Sequence, residues 1–264
     1  MLQLHLVPIS LFLILTFAPA RVSHQPSNYQ AVSQARNALN DSVVYRLPGM
    51  ERIKPLQETY ETVDNQSLAI HLYQAVELKQ GERRPLVIFA NWKRLSMPSW
   101  QFFISWGQLV AASGLNAIVY QSTLDPDAEL DKVINYLRKN AARLQIDENR
   151  IGIVTMSGNT VTAQPYMTQP NRGYIRCGVI YYGMIQNPPV RVDLPLFIVR
   201  AGLETNQELN QKLDEYVKLL VEKNAPVTYV NLPNAHHSFD LVDDNEQSRE
   251  VIADTLAFLK RHLR

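Results

Sequence analysis

A single cysteine, Cys177, among 264 residues leaves nothing for an intramolecular disulfide framework and nothing for a cysteine-based zinc site. An excess of charge is missing as well. The 26 basic residues face 25 acidic ones and no basic run stands out, which argues against a partner held by electrostatics, nucleic acid above all. Internal repeats and low-complexity tracts are absent, and so is any spaced histidine pair of the H-x-x-x-H kind. The composition a metal site would have to use is confined to His236, Asp240, Asp243 and Asp244, and no metal or cofactor is expected. What is present is an apolar content of 46% on a nearly neutral chain, which excludes a disordered tail. The length suits one α/β domain with its own core, and nothing in the sequence specifies an oligomer.

The first residues read as an address. Leu2 to Phe17 is mostly apolar, densest from Leu11 to Phe17, and Ala18-Pro19-Ala20 follows as an A-x-A-like cleavage site. No Lys or Arg precedes the run, so the terminal amine and His5 supply the basic start. Pro8 and the shortness of the run argue against a spanning helix, which needs about 20 apolar residues. The expectation is a signal peptide over 1–20, a mature chain starting at Arg21, and a secreted or periplasmic protein with no stable membrane span. An uncleaved N-terminal anchor is the alternative. A polar lead, 21–58, then precedes the folded domain at 59–264. Asn40-Asp41-Ser42 and Asn65-Gln66-Ser67 fit the N-glycosylation triplet, which matters only in a host that glycosylates exported proteins.

Beyond the lead the chain alternates strand and helix. Tyr60 to Val63 and Ser67 to Val76 read as an antiparallel hairpin across the turn Asp64-Asn65, with His71 on its more polar face as an ordinary sheet histidine. Leu86 to Ala90 is a continuous apolar run, as befits a strand covered on both faces. A helix from Ser99 to Ala112, closed by Gly114, leads to a strand from Asn116 to Tyr120. Asp125 and Pro126 form an N-cap and first helical position for a helix to Leu144. Further strands fall at Ile151–Thr155, Val179–Tyr182, Leu196–Val199 and Val227–Val230, with helices at Gln207–Lys223 and Gln247–His262. This grammar predicts a mostly parallel sheet with helices on both faces.

In such sheets the chemistry gathers beyond the carboxyl ends of strands. Ile151 to Thr155 runs directly into Met156-Ser157-Gly158-Asn159. A serine at a sharp strand-to-helix turn is how a nucleophile is lifted above a sheet. The usual small residues two before and two after are Thr155 and Asn159 here, so Ser157 as a simple helix cap stays open. Asn234-Ala235-His236-His237-Ser238-Phe239-Asp240 follows the last strand, where a hydrolase of this topology keeps its general base. Past the strand ending at Arg200, Glu204 stands where a carboxylate would hold the tautomer of that base; an ordinary charge at a helix N-terminus is the alternative. Joint occurrence in the order serine, acid, histidine is far more specific than any one member.

Pro85-Leu86-Val87-Ile88-Phe89, Thr155-Met156-Ser157-Gly158-Asn159, Tyr181-Tyr182-Gly183, Gly202-Leu203-Glu204 and His236-His237-Ser238-Phe239-Asp240 together resemble the α/β-hydrolase superfamily. Within it they are similar to the dienelactone hydrolase-like branch of serine esterases, over nearly all of Tyr60 to Arg264. The resemblance implies an α/β-hydrolase fold with a catalytic set of Ser157, His237 and Glu204; His-x-Phe-Asp selects His237 over His236. It also implies an oxyanion hole from the N–H groups of Gly158 and of Asn91 or Trp92. Tyr181, Tyr182 and His236 are candidates for contact with substrate. The departures are the missing elbow glycines and Asn91-Trp92-Lys93 in place of a His-Gly-Gly loop. Gly183 to Pro195 is too short for a helical lid, so the expected substrate is a small ester or an acyl group carried on a polymer. A catalytically silent fold used for binding, and a peptidase or thioesterase with the same three residues, are the alternatives.

Overall fold

The computed structural model describes residues 40–91, 96–122, 126–186 and 190–264. The expected export signal, the cap Asp125 and the oxyanion donor Trp92 lie outside them. Among the described residues, one sheet of eight strands runs in the order β1-β2-β4-β3-β5-β6-β7-β8. The strands are β1 (Leu56–Val63), β2 (Gln66–Tyr73), β3 (Arg84–Phe89), β4 (Asn116–Tyr120), β5 (Ile146–Met156), β6 (Ile175–Tyr181), β7 (Leu196–Ala201) and β8 (Val227–Leu232). β1 and β2 pair antiparallel, β2 meets β4 antiparallel, and every other neighbouring pair is parallel.

Helices α1 (Gln101–Ala112), α2 (Pro126–Lys139), α3 (Ala141–Leu144), α4 (Thr160–Met167), α5 (Gln207–Glu222), α6 (Phe239–Val242) and α7 (Glu246–His262) complete the chain. Two apolar cores result, one on each face of the sheet. Phe102, Trp106 and Leu109 of α1 and Ile252, Leu256 and Leu259 of α7 fill one; Leu130, Val133 and Leu137 of α2, Met167 of α4 and Leu213 and Leu220 of α5 fill the other. Alternate side chains of a strand point to opposite faces, and β5 shows it: Val154 enters the first core, Ile151 and Ile153 the second.

Three boundaries differ from the expectations, each for a local reason. The helix expected from Pro126 to Leu144 breaks at Asn140, whose side-chain amide donates to the Tyr136 carbonyl at 2.9 Å and competes with the helical ladder. β1 begins at Leu56 rather than Tyr60, because exposed Gln57 and half-buried Glu58 sit on an edge strand that polar residues suit. Asp64 and Asn65, with φ of 49° and 63°, make the hairpin turn that their sequence implied. The third difference concerns the lead. Val43 and Met50 are buried in the core beside α1. The Val43 N–H donates to Ser105 Oγ at 2.8 Å, and the Val44 N–H to the Asp240 carbonyl at 2.9 Å. Residues 43–53 form a strap across α1, so residues ahead of position 59 also pack into the core.

β5 lies between β3 and β6, and the connections on its two sides run in opposite directions across the sheet. The carboxyl ends of β3 and β5 therefore open side by side at the switch point, where sites of this architecture lie.

Candidate active site

Ser157 follows β5 directly and opens a single 3-10 turn, Ser157–Asn159, that runs on into α4. Its backbone has φ of 51°, the left-handed region that costs a side-chain-bearing residue roughly 1–2 kcal/mol. That is the strained geometry of a nucleophile elbow, and it forms here without the flanking glycines. Thr155 is buried with its hydroxyl directed to Thr160 Oγ1 at 3.4 Å, and Asn159 is buried also. The Met184 N–H donates to the Ser157 carbonyl at 3.1 Å and ties the loop after β6 to the elbow.

The acid and the histidine arrive on two neighbouring loops that are bonded to each other. β7 and β8 pair in parallel, and beyond them the Gly202 N–H donates to the Leu232 carbonyl at 2.8 Å and the Leu203 N–H to the Ala235 carbonyl at 2.9 Å. This approach requires a glycine: a methyl group at position 202 would lie 2.3 Å from the Pro233 carbonyl oxygen. Glu204 and His237 are thereby brought together.

Ser157, His237 and Glu204 are hydrogen-bonded in series. His237 Nε2 lies 2.9 Å from Ser157 Oγ, and His237 Nδ1 is in close contact with Glu204 Oε2. An ionised carboxylate can only accept, so the Nδ1 proton faces Glu204 and Nε2 is left to accept from the serine hydroxyl. Glu204 is only 5% exposed, and its other oxygen accepts the Asn206 N–H at 2.8 Å. Burial pushes its pKa up, but the hydrogen bond and charge of His237, with the N–H groups of Asn206 and Thr205, outweigh burial and hold it below the ordinary glutamate value.

Four other expected site residues take different places. Asn91 is buried, its N–H donates to the Tyr120 hydroxyl at 3.0 Å and its side-chain amide to the Tyr120 carbonyl at 2.8 Å, so its backbone donor is engaged away from an oxyanion. Tyr181 is buried in the core with its hydroxyl 2.5 Å from Thr255 Oγ1, which removes it from substrate contact. Tyr182 is buried too; its ring centroid lies 4.5 Å from that of His237 and its hydroxyl donates to Asp240 Oδ1 at 2.6 Å, so it braces the imidazole rather than the substrate. His236 has its side chain 61% exposed, with Nδ1 2.8 Å from Asp243 Oδ1 and its backbone N–H 2.7 Å from Oδ2. Gly158, half-buried, directly follows the serine in the elbow.

Asp240, in the sequence both a candidate for a metal cluster and the last residue of the His-x-Phe-Asp signature, lies in the core. It is fully buried and accepts from Tyr182 and, at 3.0 Å, from the Trp106 indole N–H, while Asp243 holds His236. Among the described residues no group of three or more His, Cys, Asp or Glu is placed to hold a metal ion. Burial pushes the Asp240 carboxyl up to about 6, against the pull of Tyr182, Trp106 and the His237 charge. The sequence signal for this role was its position three residues after the histidine that it supports.

No family model matches the sequence, and no curated protein does. Solved structures are similar in fold. One is a thermophilic esterase, Est2, from the planctomycete Thermogutta terrifontis, at 16% identity and a TM-score of 0.62 over 82% of this chain and 95% of that one. Its apo form gives 17% and 0.62, covering 82% and 96%. The same esterase phosphorylated by paraoxon gives 16% and 0.60, covering 82% and 94%. The likeness is one of fold: this chain has the α/β-hydrolase fold, with a mostly parallel sheet, an antiparallel hairpin at its edge and helices on both faces.

Proposed function

We propose that the chain is an exported serine hydrolase that cleaves carboxylic esters through an acyl-enzyme, akin to the dienelactone hydrolase-like esterases. The observation that carries this reading is the continuous hydrogen-bonded path from Ser157 Oγ through the His237 ring to Glu204. His237 Nε2 takes the Ser157 proton as Oγ attacks the acyl carbon. It returns that proton to the leaving alkoxide when the tetrahedral intermediate collapses, and then activates water to release the acid. Glu204, ionised and held below its ordinary pKa, faces the imidazolium that forms in both steps. The Gly158 N–H is assigned to the oxyanion, with Trp92 as its expected partner. Loss of one such donor raises the barrier by about 2.7–4 kcal/mol.

The strained serine supports this reading over that of a simple helix cap. A residue that merely caps a helix takes an extended backbone, whereas Ser157 sits at φ 51° with its hydroxyl on an imidazole. The fold neighbour described as phosphorylated by paraoxon suggests the probe. A fluorophosphonate should label the wild type and not Ser157→Ala, and hydrolysis of p-nitrophenyl esters should fall at least about a thousandfold in that variant. A folded wild type that neither labels nor hydrolyses any ester of a chain-length series would return the protein to a binding role; hydrolysis of peptides or thioesters in preference would reassign the substrate. Export rests on the apolar N-terminal run, and sequencing of secreted material is expected to begin at Arg21.

A further inference from the structure

Bonded to the tyrosine that packs on the His237 ring is a second carboxylate, Asp240, that the proposed mechanism does not use. Asp240 reaches that place because Ser238, with φ of 63°, turns the chain sharply into the single turn α6. It receives three elements of the fold: the indole N–H of Trp106 from α1, the hydroxyl of Tyr182 from the end of β6, and, through its carbonyl, the Val44 N–H of the strap. The titratable groups facing it are Tyr181 and Tyr182 from the β6 side and His237 from its own loop. Tyr182 is held in the left-handed region, φ 37°, a conformation costly for a bulky aromatic residue and one that persists only when its surroundings over-determine it. Its ring lies between Phe239, with centroids 5.7 Å apart and edge on, and His237 at 4.5 Å.

The geometry points to Asp240 as a positioning residue for the catalytic base: by accepting from Tyr182 and Trp106 it clamps the Tyr182 ring against the imidazole and fixes the angle at which Nε2 meets Ser157. The inference rests on the esterase reading for its kinetic consequence, while its structural content stands apart from it. Glu204 sets the ring's tautomer from one edge. Glu204 and Ser157 hold the ring along its Nδ1–Nε2 line and leave rotation about that line free, and the tilted contact from Tyr182, with 52° between the ring planes, supplies the missing constraint.

Asp240→Asn keeps the size and one acceptor but removes the charge, and Tyr182→Phe keeps the ring and removes only the hydroxyl. In the full chain, kcat per fluorophosphonate-titrated site on p-nitrophenyl butyrate is expected to fall about tenfold in each, with KM within about twofold. Because both changes cut one connection, the double variant should lose no more than the worse single one. The downfield proton resonance of His237 Nδ1–H should shift or broaden in both. A role confined to stability would instead lower the number of titrated sites and leave kcat per site, KM and the imidazole resonance as in the wild type, and that result overturns the proposal. Should Asp240→Asn fail to fold, Tyr182→Phe, a single-atom deletion, decides alone. Should the wild type hydrolyse no ester, the esterase reading fails and the imidazole resonance decides: movement in the variants upholds the clamp, and constancy overturns it.

Discussion

Two carboxylates near His237 live under opposite conditions. On the Glu204 side the acid touches the imidazole itself and two backbone N–H groups, and its pKa lies below the ordinary value. On the Asp240 side the acid is wholly enclosed, its side-chain partners are the neutral donors Tyr182 and Trp106, and its pKa is lifted to about 6. Both are buried. The difference lies in the partner: a group that becomes cationic can offset desolvation of a carboxylate, and neutral donors offset it only in part. One fold thus holds an acid that stays charged and, beyond the tyrosine, another that resists ionisation.

Glu204→Gln attacks the contrast at its charged end and has the largest expected effect. The amide offers the wrong partner to Nδ1, and kcat should fall by about 10³–10⁴ with the fold intact by circular dichroism. Asp240→Asn attacks the other end, through stability. A folded pKa of about 6 against 3.8 for an ordinary aspartate means that ionisation of Asp240 opposes folding, so its contribution is fully present below pH 3.8 and is lost as pH rises through about 6. Relative to Asp240→Asn, the wild type should therefore lose about 2 kcal/mol between pH 4 and pH 7 in urea unfolding. Glu204 has the opposite sign: its contribution is present above its ordinary pKa and lost as pH falls, so Glu204→Gln should cost the chain less stability at pH 3 than at pH 7. Gly202→Ala tests how Glu204 is kept against the ring. The clash with Pro233 should destabilise the fold by about 1–3 kcal/mol and separate Glu204 from His237, lowering kcat with it. Trp106→Phe should be mildest, at about 1–2 kcal/mol in the same unfolding assay, since it removes one donor from Asp240 and keeps the ring in the core.

Much of this was readable in the chain. Continuous apolar runs marked the inner strands, because a strand covered on both faces admits little else, and the chain order of Ser157, Glu204 and His237 marked the site. The elbow was harder. Its glycines are absent, and only coordinates reveal that Thr155 turns inward to Thr160 and leaves room for the strained serine. Tyr181 and Tyr182 looked like pocket walls because aromatic residues at a strand end read alike whether they face solvent or core; burial and hydroxyl partners separate them. Asn91 misled for a similar reason, since position beside the β3 end says nothing of the Tyr120 hydroxyl that engages its N–H. The lead up to residue 58 looked detached because its composition is polar, yet burial of two side chains, Val43 and Met50, anchors it.

The strap has a practical corollary. Val44 is the thirteenth position before Gln57 and lies far outside the interval that composition alone marks as the domain, yet its amide is fastened to the very residue that shores up the histidine. A truncated version cloned from position 59 would keep Ser157, Glu204 and His237 and lose that fastening. Protein prepared from such a fragment should look intact on paper and unfold more readily at the bench.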